Sequence, residues 1–443
     1  METANPARRQ APIRIDIFYS LITLGSTAIW SVMSGWLLYF YLPPAGEGQV
    51  LVPAALYGVT TLAVRALNAL FAIWVGHRSD RIRSRWGRRL PLIFVSALPM
   101  LLFFVLLWIP PVRGESGWNL AYLALILILY NGAYSLNQIP FTALLPDLAL
   151  TDSHRVRMSA WSASAFLLGF ILGGLAGPLI DRGGYLVMAL IYVGIALPLF
   201  YLPFLVLRER PRPPAAEMAA DRPDLWRALG SMRHNRPFVI MTAAGVCYWG
   251  ITTLVQATLP YIVTEICRLD TGDAFYFYIP AVLASLVCYP LITWLSNRVG
   301  KWAVFAGSML ASAIVLPGLL LIGERLPLGL GAQGILWMTL QAVALSGVAM
   351  LPPAFGAEIV DYDEQLTGQR REGLYYSVWG LLDQVVNGLV AALLPVILLL
   401  GRSRGDPNGP LGVRMVGMFG GALMLVGFLV FLNYPLRQKG EVE

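Results

Sequence analysis

Charged residues are scarce in this sequence of 443 residues, of which only 13% are Asp, Glu, Lys or Arg. That share is about half of what a typical soluble domain carries, while hydrophobic residues make up 57%. A chain of this composition cannot cover its own surface with polar groups, so a soluble enzyme is excluded. The composition indicates an all-α membrane protein that crosses the bilayer several times.

Cysteine and histidine are also rare, with three residues of each. Cys247, Cys267 and Cys288 lack the spacing of a CxxC or Cys/His motif, so we expect core residues rather than disulfides or a metal site. All three histidines fall in predicted loops beside arginines. Because acid–base chemistry needs titratable groups and these are scarce in the predicted spans, we expect no catalytic residue, cofactor or metal.

The few charges are mostly basic and give a net charge of +7. An excess of Lys and Arg can indicate nucleic-acid binding, but here these residues flank hydrophobic segments, which is the pattern of membrane topology. With both termini in the cytoplasm, the cytoplasmic segments hold about 24 of the 32 basic residues and the outer loops about 7. We therefore expect cytoplasmic termini, contact with membrane lipid and no nucleic-acid partner.

Long apolar stretches dominate the sequence. A spanning helix needs about 20 apolar residues, and twelve such stretches, separated by polar residues or by Gly and Pro, leave no length for a second soluble domain. The predicted spans are 16–42, 51–76, 90–110, 117–146, 157–181, 185–207, 237–263, 272–296, 302–324, 330–357, 372–400 and 411–434.

The longest polar break, 208–236, separates two sets of six spans. We therefore expect an N-terminal six-helix half at 1–207, a cytoplasmic central loop at 208–236 and a C-terminal six-helix half at 237–443. Apolar residues at helical spacing favour a short interfacial helix in this loop, with a disordered linker as the alternative. Basic turns at 76–89 and 297–301 echo each other, as in a transporter built from parallel repeats.

Polar side chains recur on one face of several spans, where they are costly unless they face a cavity or a partner. Several stripes in one chain favour a shared polar cavity, although Ser, Thr and Asn also join helices to one another. Aromatic residues beside the stripes suit stacking on a sugar ring, with ordinary packing as the alternative. The candidate substrate-binding residues are Thr27, Trp30, Arg65, Asn68, Asn131, Tyr134, Gln138, Tyr248, Gln256, Trp379, Asp383 and Asn387.

Two of these candidates, Arg65 and Asp383, are full charges near the middle of predicted spans. An unpaired charge there costs at least about 2.5–3.5 kcal/mol on insertion scales, so each needs a partner or water. A pair that forms in one state and separates in another would couple transport to a proton. The alternatives are a static pair, separate partners for each charge, or a local hydrogen bond from Asn387 to Asp383.

Three motifs resemble those of a known family. The run 80–89, which contains RSRWGR, resembles the major facilitator signature after the second span in its melibiose-permease-like form. The segment 139–147, IPFTALLPD, resembles the exit of the fourth span, and 357–373, which begins AEIVDYDE, resembles the loop after the tenth. The chain is therefore identified as a member of the glycoside–pentoside–hexuronide:cation symporter family of the major facilitator superfamily.

The resemblance implies the major facilitator fold, alternating access, and a sugar carried together with a sodium ion or a proton. Hard cations favour anionic oxygen ligands, and the positions of the family's charged cation and sugar residues are uncharged here. We therefore expect no sodium coupling, and we add Gln384 to the candidate substrate-binding residues by this correspondence. The corresponding positions are Asn68, Ala72, Gln138, Thr27, Ser162 and Gln384.

The resemblance also implies an ion-pair gate on the cytoplasmic side. A carboxylate and a guanidinium from opposite halves would hold that side shut and release it at modest cost. The alternative of solvated loop charges accounts for the arginines but not for two acidic residues at a span end. The candidate gate residues are Asp80, Arg155, Arg298, Glu358, Asp361 and Arg370.

These features together predict a secondary active transporter of a small polar organic solute, a sugar or glycoside first. We expect a monomer in the inner or plasma membrane, coupled to a proton if to any ion. A transporter of a lysolipid or another amphiphile is the alternative, since a neutral cavity rich in aromatic residues would admit one. A sensor or a membrane enzyme fits less well, because no signalling domain fits the length and catalytic groups are scarce.

Overall fold

The structure, a computed structural model, describes residues 12–44, 46–79, 84, 87, 89–149, 151–209, 232, 235–367, 372–400 and 411–436. These residues are predominantly helical, so the all-α class is confirmed. The helices are α1 (Ile13–Tyr41), α2 (Ala54–Ser79), α3 (Leu90–Leu106), α4 (Gly117–Leu148), α5 (Asp152–Gly174), α6 (Ala176–Tyr201), α7 (Arg236–Tyr261), α8 (Ala274–Val299), α9 (Lys301–Val315), α10 (Leu330–Met350), α11 (Pro352–Thr367), α12 (Glu372–Leu398) and α13 (Leu411–Phe431).

Ten helical segments of the described chain are long and apolar enough to cross a membrane. Each corresponds to one of the predicted spans. The other two predicted spans, 90–110 and 157–181, cover α3 and most of α5. The helix α3 is shorter, with 17 residues, and α5 begins with the polar turn Asp152-Ser-His-Arg.

Two glycines mark places where the helical path ends or bends. Gly300, with φ of 86°, ends α8 and precedes α9, and Gly184, with φ of 75°, interrupts α6. Both angles lie in the region that only glycine enters without strain. Gly184 falls between the predicted spans 157–181 and 185–207, so the helical path is interrupted in that gap.

The motif segment 357–364 lies within α11, so its expected position in a loop was wrong. Two prolines occupy the first turn of α11, where the missing N–H has no helical acceptor to lose. They therefore begin a new helix directly after α10. Phe355 and Ile359, four residues apart, are both buried, and this apolar side holds α11 in place. Asp363, four residues further on, is buried on the same side, while Asp361 and Glu364 are exposed.

The chain divides into two compact units whose boundaries differ from those of the two predicted halves. The first unit takes in Met1–Met33, Leu67–Arg113 and Ala121–Pro213, and the second takes in Ser34–Ala66, Gly114–Leu120 and Pro214–Glu443. Both α1 and α2 are therefore shared. The second half of α1 and the first half of α2 belong to the same unit as the C-terminal helices.

Aromatic rings form a packed cluster in the second unit, which we call the aromatic cluster. Phe305 on α9 lies with its ring centroid 5.3 Å from that of Phe355 on α11 and 4.5 Å from that of Phe431 on α13. Tyr434 packs on both Phe355 and Phe431 at 5.3 Å. These contacts join three helices, and rings in such arrangements attract each other beyond their buried area.

The first unit contains a buried ionic cluster that the sequence analysis did not identify. Asp16, near the start of α1, is fully buried, and its carboxylate contacts His154 Nε2 at 2.6 Å and Arg157 Nε at 2.5 Å. Thr151 caps α5 by accepting a hydrogen bond from the backbone N–H of His154. The expectation that every histidine lies in a loop was wrong for His154, which lies in the first turn of α5. Its ring is buried against Asp16.

We expect Asp16→Ala to lower the stability of the protein. Removal of one partner from a buried ion pair costs about 3–5 kcal/mol, and we expect the lower end because the Arg157 side chain is 33% exposed. The purified protein should unfold at a lower temperature, with Asp16→Asn intermediate because its amide oxygen still accepts a hydrogen bond. The matched control is the exposed Asp181. Equal melting temperatures of Asp16→Ala and Asp181→Ala would contradict the role of this cluster.

Candidate functional site

Two predicted polar residues of the first unit are hydrogen-bonded to neighbouring helices. Asn68 on α2 accepts a hydrogen bond from the Ser135 hydroxyl on α4 at 2.9 Å. The Gln138 amide on α4 donates to the Ser26 hydroxyl on α1 at 2.6 Å. Side-chain pairs thus connect α4 to both α1 and α2, which is the helix-joining role that polar residues have in membrane proteins.

The three positions that correspond to a cation site carry no carboxylate. Ala72 has no side-chain oxygen, and the amides of Asn68 and Gln138 take part in the hydrogen bonds just described. Within the described part of the chain, no group of three His, Cys, Asp or Glu side chains lies close enough to hold a metal ion.

Two further candidates, Thr27 and Trp30, face α5 from α1. Thr27 is buried, and a Cβ added at Gly169 would lie only 2.7 Å from the Cβ of Thr27. Trp30 packs edge-on against Phe170, with ring centroids 5.7 Å apart. In this structure both side chains serve the close packing of α1 on α5.

The candidates Asn131 and Tyr134 on α4 make contacts within their own helix. The Asn131 amide donates to the backbone oxygen of Leu127 at 2.7 Å, and the Tyr134 ring stacks on Tyr130 at a centroid distance of 6.1 Å. Both side chains are partly exposed. Their assignment to substrate binding stays a prediction.

Arg65 belongs to the second unit and lies against α12. A Cβ added at Gly388 would be 3.3 Å from Arg65 Cδ, so this glycine gives the arginine stem room beside the helix. Asp383 and Gln384 precede Gly388 by five and four residues, which is about 6–8 Å along the helix axis. The Asp383 side chain lies outside the described residues, and its pairing with Arg65 stays a prediction.

Polar contacts connect α7 to α12 and bring it close to α1. The Thr253 hydroxyl on α7 donates a hydrogen bond to the Asn387 side-chain oxygen on α12. Gln256, less than one turn further along α7, is buried. A Cβ added at Gly35 on α1 would lie 3.7 Å from the Gln256 backbone oxygen and 3.6 Å from the Tyr278 hydroxyl. The predicted residues Gln256 and Asn387 are thus both buried, and Thr253, which binds Asn387, lies three residues before Gln256.

Tyr248 on α7 and Trp379 on α12 line one cavity of about 190 Å³ in the second unit. The sequence places each of them on the polar stripe of its own helix, and the structure brings the two side chains to the same space. We call this space the aromatic cavity. Its other lining residues are Gly245, Trp249, Phe305, Val348, Pro352 and Pro353.

Tyrosines fasten the C-terminal end of α1 to the end of α7. The Tyr39 hydroxyl donates to the Thr264 hydroxyl at 3.2 Å, and the Tyr261 hydroxyl donates to the backbone oxygen of Leu42 at 2.7 Å. The rings of Tyr39 and Tyr261 lie edge to face at 4.9 Å. The sequence analysis missed this contact, because the tyrosines lie more than 200 residues apart and follow no motif.

A glycine contact holds the first half of α2 against α12. A Cβ added at Gly58 would lie 2.9 Å from the Cα of Ala392 and closer still to its backbone oxygen. Real Cβ atoms do not approach other atoms so closely. The backbones of the two helices therefore touch at Gly58, and any larger residue there would force them apart.

Four of the six predicted gate residues lie where the chain can be described. Asp80 and Arg370 lie outside the described residues. In the first unit, Arg155 Nε donates to the backbone oxygen of Ala149 at 3.2 Å, a contact that closes the turn before α5. In the second unit, Asp361 is exposed on α11.

The other two gate candidates contact residues of their own unit. Glu358 on α11 forms an ion pair with Lys301 at the start of α9, and the Arg298 guanidinium lies 4.4 Å from the centroid of the Trp294 ring. The sequence analysis missed Lys301 because it considered only arginines as partners of the acidic residues.

A second ion pair joins two motifs that were read separately in the sequence. Arg89, at the end of the basic turn, contacts the Asp147 carboxylate at the exit of α4. The backbone N–H of Arg89 donates to Glu209 at 2.8 Å, so Glu209 places negative charge at the start of α3, where the helix dipole favours it. Gly87, with φ of 97°, has no room for a Cβ beside Glu209.

Comparison with known proteins places the whole chain in one family. The profile described as "MFS/sugar transport protein" matches residues 18–438. The glucuronide carrier protein homolog of Escherichia coli (strain K12) is 26% identical, over 97% of this chain and 94% of its own length. The isoprimeverose transporter of Lactiplantibacillus pentosus is 25% identical, over 86% of this chain and 79% of its own length.

Solved structures show the same fold. The inward open conformation of the xylose transporter XylE from E. coli matches with a TM-score of 0.66 at 13% identity, over 97% of this chain and 96% of that chain. At so low an identity the likeness speaks for the fold alone, which is that of the major facilitator transporters.

We expect Lys301 and Glu358 to be energetically coupled. The Glu358 side chain is only 23% exposed, so Lys301→Met leaves a poorly solvated carboxylate without its partner, while the double variant with Glu358→Gln removes both charges. A double-mutant cycle on the free energy of unfolding should give a coupling of about 0.5–3 kcal/mol.

The pair Arg268 and Glu324, at 3.4 Å and with side chains 51% and 78% exposed, is the matched control for this cycle. Its coupling should stay within about 0–1 kcal/mol, because exposed ion pairs contribute little. Additive effects of the two substitutions at Lys301 and Glu358 would contradict the pair.

Proposed function

Because the chain belongs to the MFS/sugar transport protein family, we propose that this secondary transporter carries a sugar or a glycoside across the membrane by alternating access. Its relatives and fold neighbours are transporters and not enzymes. The observation that carries the sugar assignment is the shared position of Tyr248 and Trp379 in one cavity, on the same two helices as the hydrogen-bonded pair of Thr253 and Asn387. Aromatic faces together with nearby amide groups are suited to a glycoside.

The proposed topology has twelve spans and cytoplasmic termini. Ten apolar helices, together with α3 and α5, supply an even number of crossings, and the bias of Lys and Arg supports the orientation. The halves 1–207 and 237–443 would then be joined by the cytoplasmic segment 208–236. We further propose that the transporter acts as a monomer.

In this orientation, the C-terminal end of α1 faces the outside, and the contacts there would form an outer gate. The tyrosine contacts between Tyr39, Tyr261 and the end of α7, with the touching backbones at Gly58, support a gate that is closed in this structure. Alternating access requires these contacts to separate when the solute enters from outside.

One observation favours an amphiphile as a second candidate solute. The aromatic cavity is lined mostly by apolar atoms, and such a surface also suits the acyl chain of a lysolipid. A sugar remains the first candidate because the neighbouring residues of α7 and α12 are hydrogen-bonding amides and hydroxyls.

We expect sugars or glycosides to raise the melting temperature of the purified protein, and sodium to have no effect on this shift. A ligand that binds the folded state stabilises it by mass action, and the positions Asn68, Ala72 and Gln138 offer no carboxylate to a cation. The screen compares sugars, glycosides and lysolipids with and without sodium, with choline as the replacement at constant ionic strength. A shift confined to lysolipids would contradict the sugar assignment, and a shift that needs sodium would contradict the coupling.

For the coupling ion, we propose a proton that binds to Asp383. Arg65 lies against α12 within two turns of this residue, and a carboxylate near a midplane arginine is charged when paired and tends to take up a proton when separated. The alternatives that the sequence leaves open, a static pair or a hydrogen bond from Asn387, predict no effect on coupling.

We expect Asp383→Asn to abolish accumulation driven by a pH gradient while exchange of bound solute across the membrane continues. The amide cannot take up the proton, but it leaves a side chain of the same size in place. Uptake is measured in proteoliposomes between pH 5.5 and 8, with Asp181→Asn as the matched control at an exposed position. Accumulation by Asp383→Asn that equals the wild type over this range would exclude Asp383 as the coupling group.

A further inference from the structure

The walls of the aromatic cavity are formed mainly by aromatic and aliphatic side chains. Tyr248 and Trp249 come from α7, Trp379 from α12 and Phe305 from α9, while Val348 and the two prolines at the start of α11 complete the lining. Most of the surface that faces this space is apolar. The lining therefore favours an apolar occupant.

The walls are also held in place from behind. Phe305 belongs to the aromatic cluster and packs on Phe431 at 4.5 Å and on Phe355 at 5.3 Å. Across the cavity, Gly245 lets the Trp379 indole lie close to α7, since an added Cβ would stand 3.3 Å from Trp379 Nε1. A cavity with fixed walls binds a ligand without the cost of ordering side chains.

The size of the cavity matches one ring. Its volume is about 190 Å³, while an apolar cavity of about 150 Å³ in another protein holds a benzene molecule. A phenyl ring therefore fits with little room left over. Flat aromatic walls favour a planar ring in particular, because stacked and edge-to-face contacts add to the burial of area.

Polar groups lie further along the same two helices. Asn387 follows Trp379 by eight residues on α12, which corresponds to about 12 Å along the axis, and its partner Thr253 is on α7. Gln384 lies between them in sequence. These polar groups lie outside the cavity lining, so a glycoside could reach them only with its ring in the cavity and its sugar beyond it.

We propose that the aromatic cavity binds the aromatic aglycone of a glycoside, whose sugar is held by the polar groups further along α7 and α12. This inference rests on the proposed function, since it names the class of solute for the same site. It assigns selectivity to Tyr248, Trp379 and Gly245: the ring, and not the sugar alone, would determine which glycosides bind tightly.

The test compares phenyl and methyl glycosides of the same sugar on the purified full-length protein. The probes are the phenyl and methyl β-D-glucuronides, β-D-glucosides and β-D-xylosides, and affinity is measured by calorimetry. Full burial of a Phe-sized group is favourable by an amount that corresponds to about ten- to a hundredfold in affinity. We therefore expect the phenyl member of at least one pair to bind about ten- to a hundredfold more tightly.

Filling the cavity should remove this preference. In Gly245→Val and in Val348→Phe, we expect the affinity for the phenyl glycoside to fall toward that for the methyl glycoside, so that the ratio of the two affinities approaches one. Gly307→Val on α9 is the matched control, since a Cβ there meets no atom within 4 Å. Size-exclusion profiles verify folding. If both filling variants fail to fold, Trp379→Leu replaces them as the test, because it removes one wall of the cavity and should likewise lower the preference for the phenyl glycoside.

The possible outcomes distinguish a failure of the aglycone site from a failure of the proposed transport function. Equal affinity of the wild type for phenyl and methyl glycosides overturns the aglycone site and leaves sugar transport standing. A phenyl preference that survives in every folded cavity variant places the ring elsewhere and also overturns it. Absence of binding by every sugar and glycoside overturns the proposed function, and the aglycone site falls with it.

Discussion

A polar group inside an apolar helical bundle must find its partner there, because the surrounding hydrocarbon offers none. Much of this structure follows from that constraint. Asp16 binds two basic residues of α5, Asn68 joins α2 to α4, and Thr253 joins α7 to α12. Each satisfied pair fixes which two helices are neighbours and in what rotation, which apolar contacts alone specify poorly.

Close backbone approach at glycines complements these pairs. Where α1 meets α5 at Gly169, and α2 meets α12 at Gly58, no space remains for a side chain. Dispersion contacts between such surfaces supply attraction in a membrane, where the hydrophobic effect between helices is weak. The first half of α1 and the second half of α2 belong to the first unit, and their other halves belong to the second.

The class of fold and most helix positions could be predicted from the sequence, because the length and hydropathy of a span are local properties. The partners of the polar and charged side chains could not be predicted, because they are far apart in the chain. Lys301 and Glu358, for example, meet only when α9 packs against α11. The many acidic residues of α11 are typical of a loop, and they outweighed the helical spacing of the buried Phe355 and Ile359. The sequence places Tyr248 and Trp379 on the polar stripes of two different helices, and only the packing of α7 near α12 shows that they share a cavity.

The backbone contact at Gly58 also bears on the balance between states of the proposed transport cycle. A carrier works fastest when its two end states have similar free energies, and every 1.4 kcal/mol of strain in one state changes their ratio about tenfold. Because the backbones of α2 and α12 touch at Gly58, a larger residue at position 58 would disfavour this arrangement and change the balance of states in the proposed cycle. Such a change acts on the populations of the states, whereas a change in the cavity acts on the contacts with the solute itself.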